Sequence, residues 1–407
     1  MPGDLAAVKF LRFDPQACAF PKPRVPLLPA TLRLRSPFAP PASERRSSGS
    51  RNFRHFVRGR YALAAAYRLS GLGPGTVLLA PAYHCVTMID PALACTADVH
   101  CYRLHRDLTP DLSSLDSLYT RLEKPVKAVL ATHFFGFPCD FDELRRWCDA
   151  RRITLVEDCS HALFSERWRA PGIGHHGHWV TSSPYKFFPS DDGGLLYSPH
   201  PDQLAKVRTT SATLVDELRG LKHLLEKRSN SRPGRSDITE IDRQLAALAA
   251  RIVVAGDEDV VTCAHPSPLY LPPEVDRASL LSSRFLVDQA QVDDLIRRRR
   301  HNYQSWLDAV ASFPNCHPLL PTLPPDCIPY MFPLYIDHPN PHFYWLKHLG
   351  VPVWRWDEMA VSDCPIAGDY RQRLLHLPCH QDLNDAQIDW LLAAVGKTLS
   401  HSPVSTH

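Results

Sequence analysis

No charge of one sign dominates this chain: 46 Lys and Arg stand against 43 Asp and Glu in 407 residues, which removes any sequence-wide electrostatic case for nucleic acid or an anionic membrane as a partner. No CxxC pair occurs among the 12 cysteines, and no signal sequence is expected ahead of them. They sit singly, with Cys95, Cys148 and Cys159 inside apolar runs, so free thiols in a reducing cytoplasm are expected. No apolar run reaches the length that a membrane-spanning helix requires, and Leu5 to Phe13 is interrupted by Lys9 and Arg12. The HExxH spacing of a metal site is absent as well. The run His175-His176-Gly177-His178 has only Cys159 and His161 near it, and adjacent histidines point in different directions, so no metal is expected. The glycines from Gly71 to Gly75 close a helix instead of following a strand, which excludes a dinucleotide loop.

With 44% apolar residues the chain can bury a full core, and its length predicts two domains. Residues 1–58 are rich in Pro, Arg and Ser, a composition that resists continuous helix or sheet, and read as an arm. From residue 59 to 278 apolar strands alternate with helices. Val77 to Ala80, Val126 to Thr132 and Ile153 to Val156 read as strands, Tyr61 to Leu69 and Asp140 to Arg151 as helices. Such alternation predicts an α/β fold with a mainly parallel sheet flanked by helices. Residues 201–250 read as a helical insertion broken at Ser229 to Gly234. One long amphipathic helix is predicted from about Ser279 to Val310, and the stretch Arg297 to Arg300 on it reads as a solvated basic stripe. Residues 279–407 add strands at Tyr330 to Ile336 and Val351 to Trp354 and helices at Pro341 to Leu349 and Asp385 to Leu399, the makings of a small α+β domain.

The chemistry-bearing segment is Thr181-Ser182-Ser183-Pro184-Tyr185-Lys186, followed by Gly193-Gly194 and preceded by Asp158 at the end of an apolar strand. In an open parallel sheet, ligands collect at the carboxyl ends of the strands, which is where Asp158 falls. A lysine amine that can hold an aldehyde as a Schiff base, and a carboxylate that can keep a pyridine nitrogen protonated, are the two groups pyridoxal phosphate chemistry needs.

On these residues the chain resembles the DegT/DnrJ group of fold type I aminotransferases, which act mostly on nucleotide-linked keto-sugars. The resemblance spans about residues 56–400 and is strongest from Gly59 to Ser198. Its motifs are an Asp followed three residues later by His (Asp158, His161), a hydroxyl residue five before the lysine (Thr181, Lys186), and the glycine pair after it. The resemblance implies a pyridoxal 5'-phosphate enzyme, homodimeric, that moves an amino group from an amino-acid donor to a keto group of a sugar-like metabolite. In it Lys186 would bind the cofactor and carry protons, Asp158 would meet the pyridine nitrogen, and His161 would touch the phenolic oxygen or ring face. Thr181 and Ser182 would donate to the phosphate together with backbone amides at Gly59-Arg60-Tyr61, where a helix begins.

Three positions depart from the family's pattern. The usual small or acidic residues at the first phosphate contact are replaced by Arg60 and Tyr61. The position of the aromatic that stacks on the cofactor holds Cys85, so Tyr83 or His84 would take that role. The family's Asn-x-Arg appears as Ser282-Ser283-Arg284, with Arg284 a candidate contact across subunits. A homologue that has kept the fold for binding or regulation, without turnover, is the alternative. Retention of Lys186 separates the two, and it also argues against the family's dehydratase branch, where histidine stands in its place.

Overall fold

The computed structural model describes residues 8–13, 18–31, 52–230, 237–250 and 258–401. In chain order the first part comprises β1 (Val8–Phe13), β2 (Phe53–Phe56), α1 (Gly59–Leu69), β3 (Val77–Pro81), α2 (Val86–Ala94), β4 (Asp98–Tyr102), α3 (Leu112–Arg121), β5 (Val126–Thr132), α4 (Asp142–Arg151), β6 (Thr154–Asp158), β7 (Trp179–Ser182) and β8 (Gly194–Tyr197). There follow α5 (Pro201–Leu204), α6 (Leu214–Asn230), α7 (Ile241–Ala249), β9 (Glu258–Cys263), α8 (Leu281–Asp288) and α9 (Val292–Val310). The chain then forms β10 (Cys316–Pro318), β11 (Met331–Ile336), α10 (Pro339–Leu349), β12 (Met359–Ala360), α11 (Pro365–Arg373), β13 (Leu374–Pro378) and α12 (Asp385–Ser400).

Seven strands form the main sheet in the order β2-β8-β7-β6-β5-β3-β4. The pairs from β4 through β7 are parallel, and β8 and β2 close one edge antiparallel. The central strands read as unbroken apolar runs because helices cover both faces: Leu78, Leu79, Val129 and Leu130 are all fully buried. Helix α1 lies against this sheet through a run of alanines, whose small side chains allow close approach and whose helix propensity is the highest. The register aligns Thr132, Asp158 and Thr181 across the carboxyl ends of β5, β6 and β7. This row is the floor of the site.

A second core gathers α9, α10 and α12 around the antiparallel sheet β10-β11-β13. Helix α12 starts on a reciprocal cap, with Asn384 accepting from Gln387 N–H and the Gln387 side chain accepting from Asn384 N–H. Helix α7 of the predicted insertion joins this core through Ile241 and Leu245.

The described structure differs from the sequence-based expectation at four places. The stretch read as an arm supplies two strands: β2 enters the main sheet, and β1 sits between β9 and β12 in a sheet of its own. The long helix is two helices, α8 and α9, parted at Gln289 to Gln291. Val351 to Trp354 forms no strand beyond a single bridge from Trp354 to His376. Arg299, within the expected solvated stripe, is fully buried. The predicted break in the insertion lies mostly outside the described residues. Among the described residues no helix is long and apolar enough to cross a membrane.

Candidate active site

Lys186 ends a single 3-10 turn, Pro184–Lys186, that begins directly after β7. The turn is closed by Lys186 N–H donating to the Ser183 carbonyl at 3.0 Å and by the Phe187 and Phe188 amides donating to Pro184 at 2.9 Å. The lysine side chain enters a cavity that Asp158, His161, Thr132 and Trp356 also line. Its Nζ lies 5.5 Å from the centre of the Tyr330 ring. That ring in turn stacks on His161 at 4.5 Å.

Asp158 is buried, and its Oδ1 accepts from Ser160 N–H at 2.9 Å and from the Thr181 hydroxyl at 3.4 Å. Oδ2 has no hydrogen bond among the described residues. That leaves one carboxylate oxygen open to accept a donor from a ligand. Two buried atoms of residues lining the same cavity have no partner among the described residues, Thr132 Oγ1 and His161 Nδ1. Burial, with Lys186 and His376 adding to it, holds the His161 ring well below its ordinary pKa, so the ring is neutral.

The cavity's other end is the N-terminus of α1, which has no side-chain cap and no acid in its first turn. Such a terminus favours an anion. Gly59 is required there: a Cβ would fall 2.1 Å from Ser183 Oγ and 3.3 Å from the Ser182 carbonyl. Ser183 Oγ donates to Ser160 Oγ at 3.1 Å, so two hydroxyls and a helix terminus converge. Arg58 lines the same end and covers the Tyr185 ring at 5.0 Å. The glycine pair beyond the lysine is a packing requirement, since a Cβ on Gly194 would lie 2.2 Å from the Arg58 carbonyl oxygen.

Several residues named from the sequence face elsewhere. Strand alternation turns Ser182 to the opposite side of β7, where its hydroxyl donates to the Phe164 carbonyl at 3.0 Å. Thr181 shares the cavity face, yet its hydroxyl is spent on Asp158. The Tyr61 side chain bonds to Glu274 at 3.0 Å, away from the cavity, and Arg60 lines the rim with its guanidinium on the Leu269 carbonyl. Tyr83 packs at a tilt against Trp356, ring centres 4.6 Å apart, and bonds to His376 at 2.8 Å, and neither it nor His84 lines the cavity. His84 is fully buried, with Nδ1 on the Pro81 carbonyl and Nε2 accepting from Ala360 N–H. Cys85 lines the wall where those two were expected. Arg284 lines a separate pocket, near Glu166 and Asp288, and bonds to Ser279. The site residues missed from the sequence are Ser160, Ser183, Arg58, Tyr330 and Trp356. Ser183 was findable, since period two places it on the face of Thr181.

Glu157, beside Asp158, has a different task. Its two oxygens accept from the amides of Gly174, His176 and Gly177 at 2.6 to 2.8 Å and from His133 Nε2 at 2.7 Å. Burial acts to raise its pKa, but His133 and the amides outweigh burial and hold it at about 2. Both Glu157 oxygens are thus engaged by protein donors, and the His133 ring is fixed from its other side by Cys139 N–H donating to Nδ1 at 3.0 Å.

The fold is that of the fold type I transferases. An aminotransferase, TlmJ, from Streptoalloteichus hindustanus superposes with a TM-score of 0.57 over 86% of each chain at 18% identity. PseC of Helicobacter pylori, an aminotransferase involved in the biosynthesis of pseudoaminic acid, superposes with a TM-score of 0.56 over 88% of this chain and 93% of its own at 14% identity. Residues 55–231 match the model of the DegT/DnrJ/EryC1/StrS aminotransferase family. GDP-perosamine synthase of Vibrio cholerae is 27% identical over 142 residues, 34% of this chain and 38% of its own length. The chain thus matches well under half the length of that curated relative.

Proposed function

We propose that the chain binds pyridoxal 5'-phosphate in the cavity around Lys186 and transfers an amino group from an amino-acid donor to a keto group on a sugar-like acceptor. The observation that carries this reading is the convergence of one lysine amine, one buried carboxylate with an unused oxygen, and a glycine-opened helix terminus with two serines. These groups fit the cofactor's aldehyde, ring nitrogen and phosphate respectively. When bound, the cofactor supplies an electron sink that lets a proton leave the carbon bearing the amine.

Lys186 Nζ would hold the aldehyde and, once released, carry a proton between substrate and cofactor carbons. Asp158 Oδ2 would accept the pyridinium N–H, with Thr181 and the Ser160 amide fixing its other oxygen. His161, neutral and with a free Nδ1, would meet the phenolic oxygen or the ring face. Ser183, Ser160 and the first turn of α1 would bind the phosphate. Trp356 and Tyr330 would close the acceptor side against water.

One named relative is a GDP-perosamine synthase and another an aminotransferase involved in the biosynthesis of pseudoaminic acid, which supports a sugar-like acceptor. A second copy of the chain is part of the reading. Leu214, Leu218 and Leu225 of α6 and Leu281 and Phe285 of α8 are each more than half exposed, and α8 also carries Arg284. A cytoplasmic setting is supported by the twelve free cysteines. The test is the absorption spectrum of the purified protein with pyridoxal phosphate. A Lys186-dependent Schiff-base band, lost in Lys186→Ala and bleached by an amino-acid donor, is expected; an identical spectrum in the variant would end the assignment.

A further inference from the structure

The four arginines of α9 are not equivalent. Arg299 points from the helix into the seam between the two cores, where it is fully buried. Its Nε donates to Gln381 Oε1 at 2.8 Å and its Nη1 to the carbonyls of Pro329 at 3.1 Å and Tyr330 at 3.0 Å. Its Nη2 donates to the Lys186 carbonyl at 3.4 Å, and the guanidinium covers the Phe187 ring at 4.5 Å. Gln381 extends the clamp by donating from Nε2 to the Phe187 carbonyl at 2.8 Å. No carboxylate lies within ion-pair distance of Arg299 among the described residues. Burial draws its pKa down to about 10, so it keeps its charge at neutral pH.

A buried cation without a counter-ion costs several kcal/mol unless every donor is satisfied, and a hydrophobic residue of similar volume would stabilise the seam at least as well. The planar fork does what an apolar side chain cannot: it holds backbone carbonyls from two separate segments at set distances. One segment is the turn that ends in Lys186. The other carries Tyr330, whose ring lies beneath Lys186 Nζ and against His161.

We infer that Arg299 is a positioning residue for Lys186, registering the lysine turn of the large domain against the Tyr330 segment of the small one through a shared set of carbonyl bonds. Its use in amino transfer rests on the function proposed above; the geometric part does not. The fork, not the charge alone, carries the effect, so lysine in its place does not restore it.

The experiment compares Arg299→Lys, Arg299→Met and Gln381→Met with the wild type. In cofactor-free protein, hydrogen exchange at the amides of Lys186, Phe187 and Phe188 is expected to speed up at least tenfold in each variant, while the amides of β3 keep wild-type protection. With pyridoxal phosphate added, the pH midpoint of the Lys186-dependent band is expected to shift by half a unit or more in Arg299→Lys, and affinity to fall at least fivefold. Wild-type exchange at those three amides in Arg299→Lys and Gln381→Met would overturn the inference, as would exchange that rises equally in β3. Should Arg299→Met not fold, the other two variants decide. If exchange changes as expected but wild-type protein forms no Lys186-dependent band, the positioning role stands and the cofactor reading fails.

Discussion

The Thr181 hydroxyl donates to Asp158 Oδ1 across 3.4 Å from the neighbouring strand, and the same oxygen takes the Ser160 amide at 2.9 Å. These bonds point the other oxygen at the cavity. Asp158→Asn keeps the shape and loses the charge that would hold a ring nitrogen protonated. The cofactor is expected to remain bound while kcat falls by about a hundredfold or more, in the range seen for removal of a charged group that acts in the transition state. Steady-state kinetics with a matched binding titration checks this, and near-normal kcat would remove Asp158 from the electron-sink role.

Ser182 and Ser183 are adjacent and face opposite ways. Ser183→Ala is expected to weaken pyridoxal phosphate binding by about tenfold, the value of a hydrogen bond to a charged group, with little change in stability. Ser182→Ala is expected to do the reverse, costing about 1 kcal/mol in urea unfolding through the orphaned Phe164 carbonyl and leaving affinity alone. Equal loss of affinity in both would show that strand alternation does not decide the phosphate contact.

Glu157 predicts a stability defect. Glu157→Gln places an amide nitrogen against backbone N–H donors and leaves at least one of them unpaired. A loss of about 2–4 kcal/mol in denaturant unfolding is expected. The Lys186-dependent band should still form in the folded fraction. A variant as stable as wild type would mean that the turn from Gly174 to Gly177 does not depend on the carboxylate.

Acid should unfold the protein early. Burial lowers His84 to about 4 and His376 to about 3, while the unfolded chain takes up protons at both below 6.5. Their contribution is present above pH 6.5 and is lost as the pH falls toward 3. Glu157, held at about 2 against an ordinary 4.5, adds a loss of the same sign below 4.5. Stability measured by urea unfolding is therefore expected to be flat from about pH 7 to 8 and to drop by several kcal/mol on the way to pH 4. Unchanged midpoints between pH 7 and 4.5 would show that these rings protonate in the folded state.

The apolar stripe on α6 bears on assembly. Leu218→Lys with Phe285→Lys puts two charges into the exposed patch formed with α8. Light scattering coupled to gel filtration is expected to find a dimer for wild type and a shift toward monomer for the double variant. A wild-type monomer at micromolar concentration would exclude the homodimer.

Much of the sheet was legible because its strands are buried on both faces and bounded by turn residues. Val126 to Thr132 was read residue for residue, and the apolar run before Asp158 placed that acid at the correct strand end. The cavity's contents were less legible, since they depend on direction as much as identity. Thr181 and Ser182 were read as a pair when period two separates them. Arg299 was hidden in a run of four, although it falls on the apolar face of α9 with Leu295, Tyr303 and Trp306. Tyr330 and Trp356 come from segments far from Lys186 in sequence, with no local periodicity to mark them.

Strand β1 has a consequence for the order in which the molecule is completed. It pairs Val8 with Cys263 and Phe10 with Ala360, joining positions roughly 250 and 350 residues apart, among the most demanding closures a chain of this size can make. The β12 end of that sheet lies just after Trp356, the residue that walls the cavity. The main sheet can assemble from neighbouring strands early, whereas this wall waits for the two distant ends of the chain to meet. Refolding protein would thus regain its helix and sheet signal before it regains a finished cavity, and the ability to retain a ligand would be the last property to return.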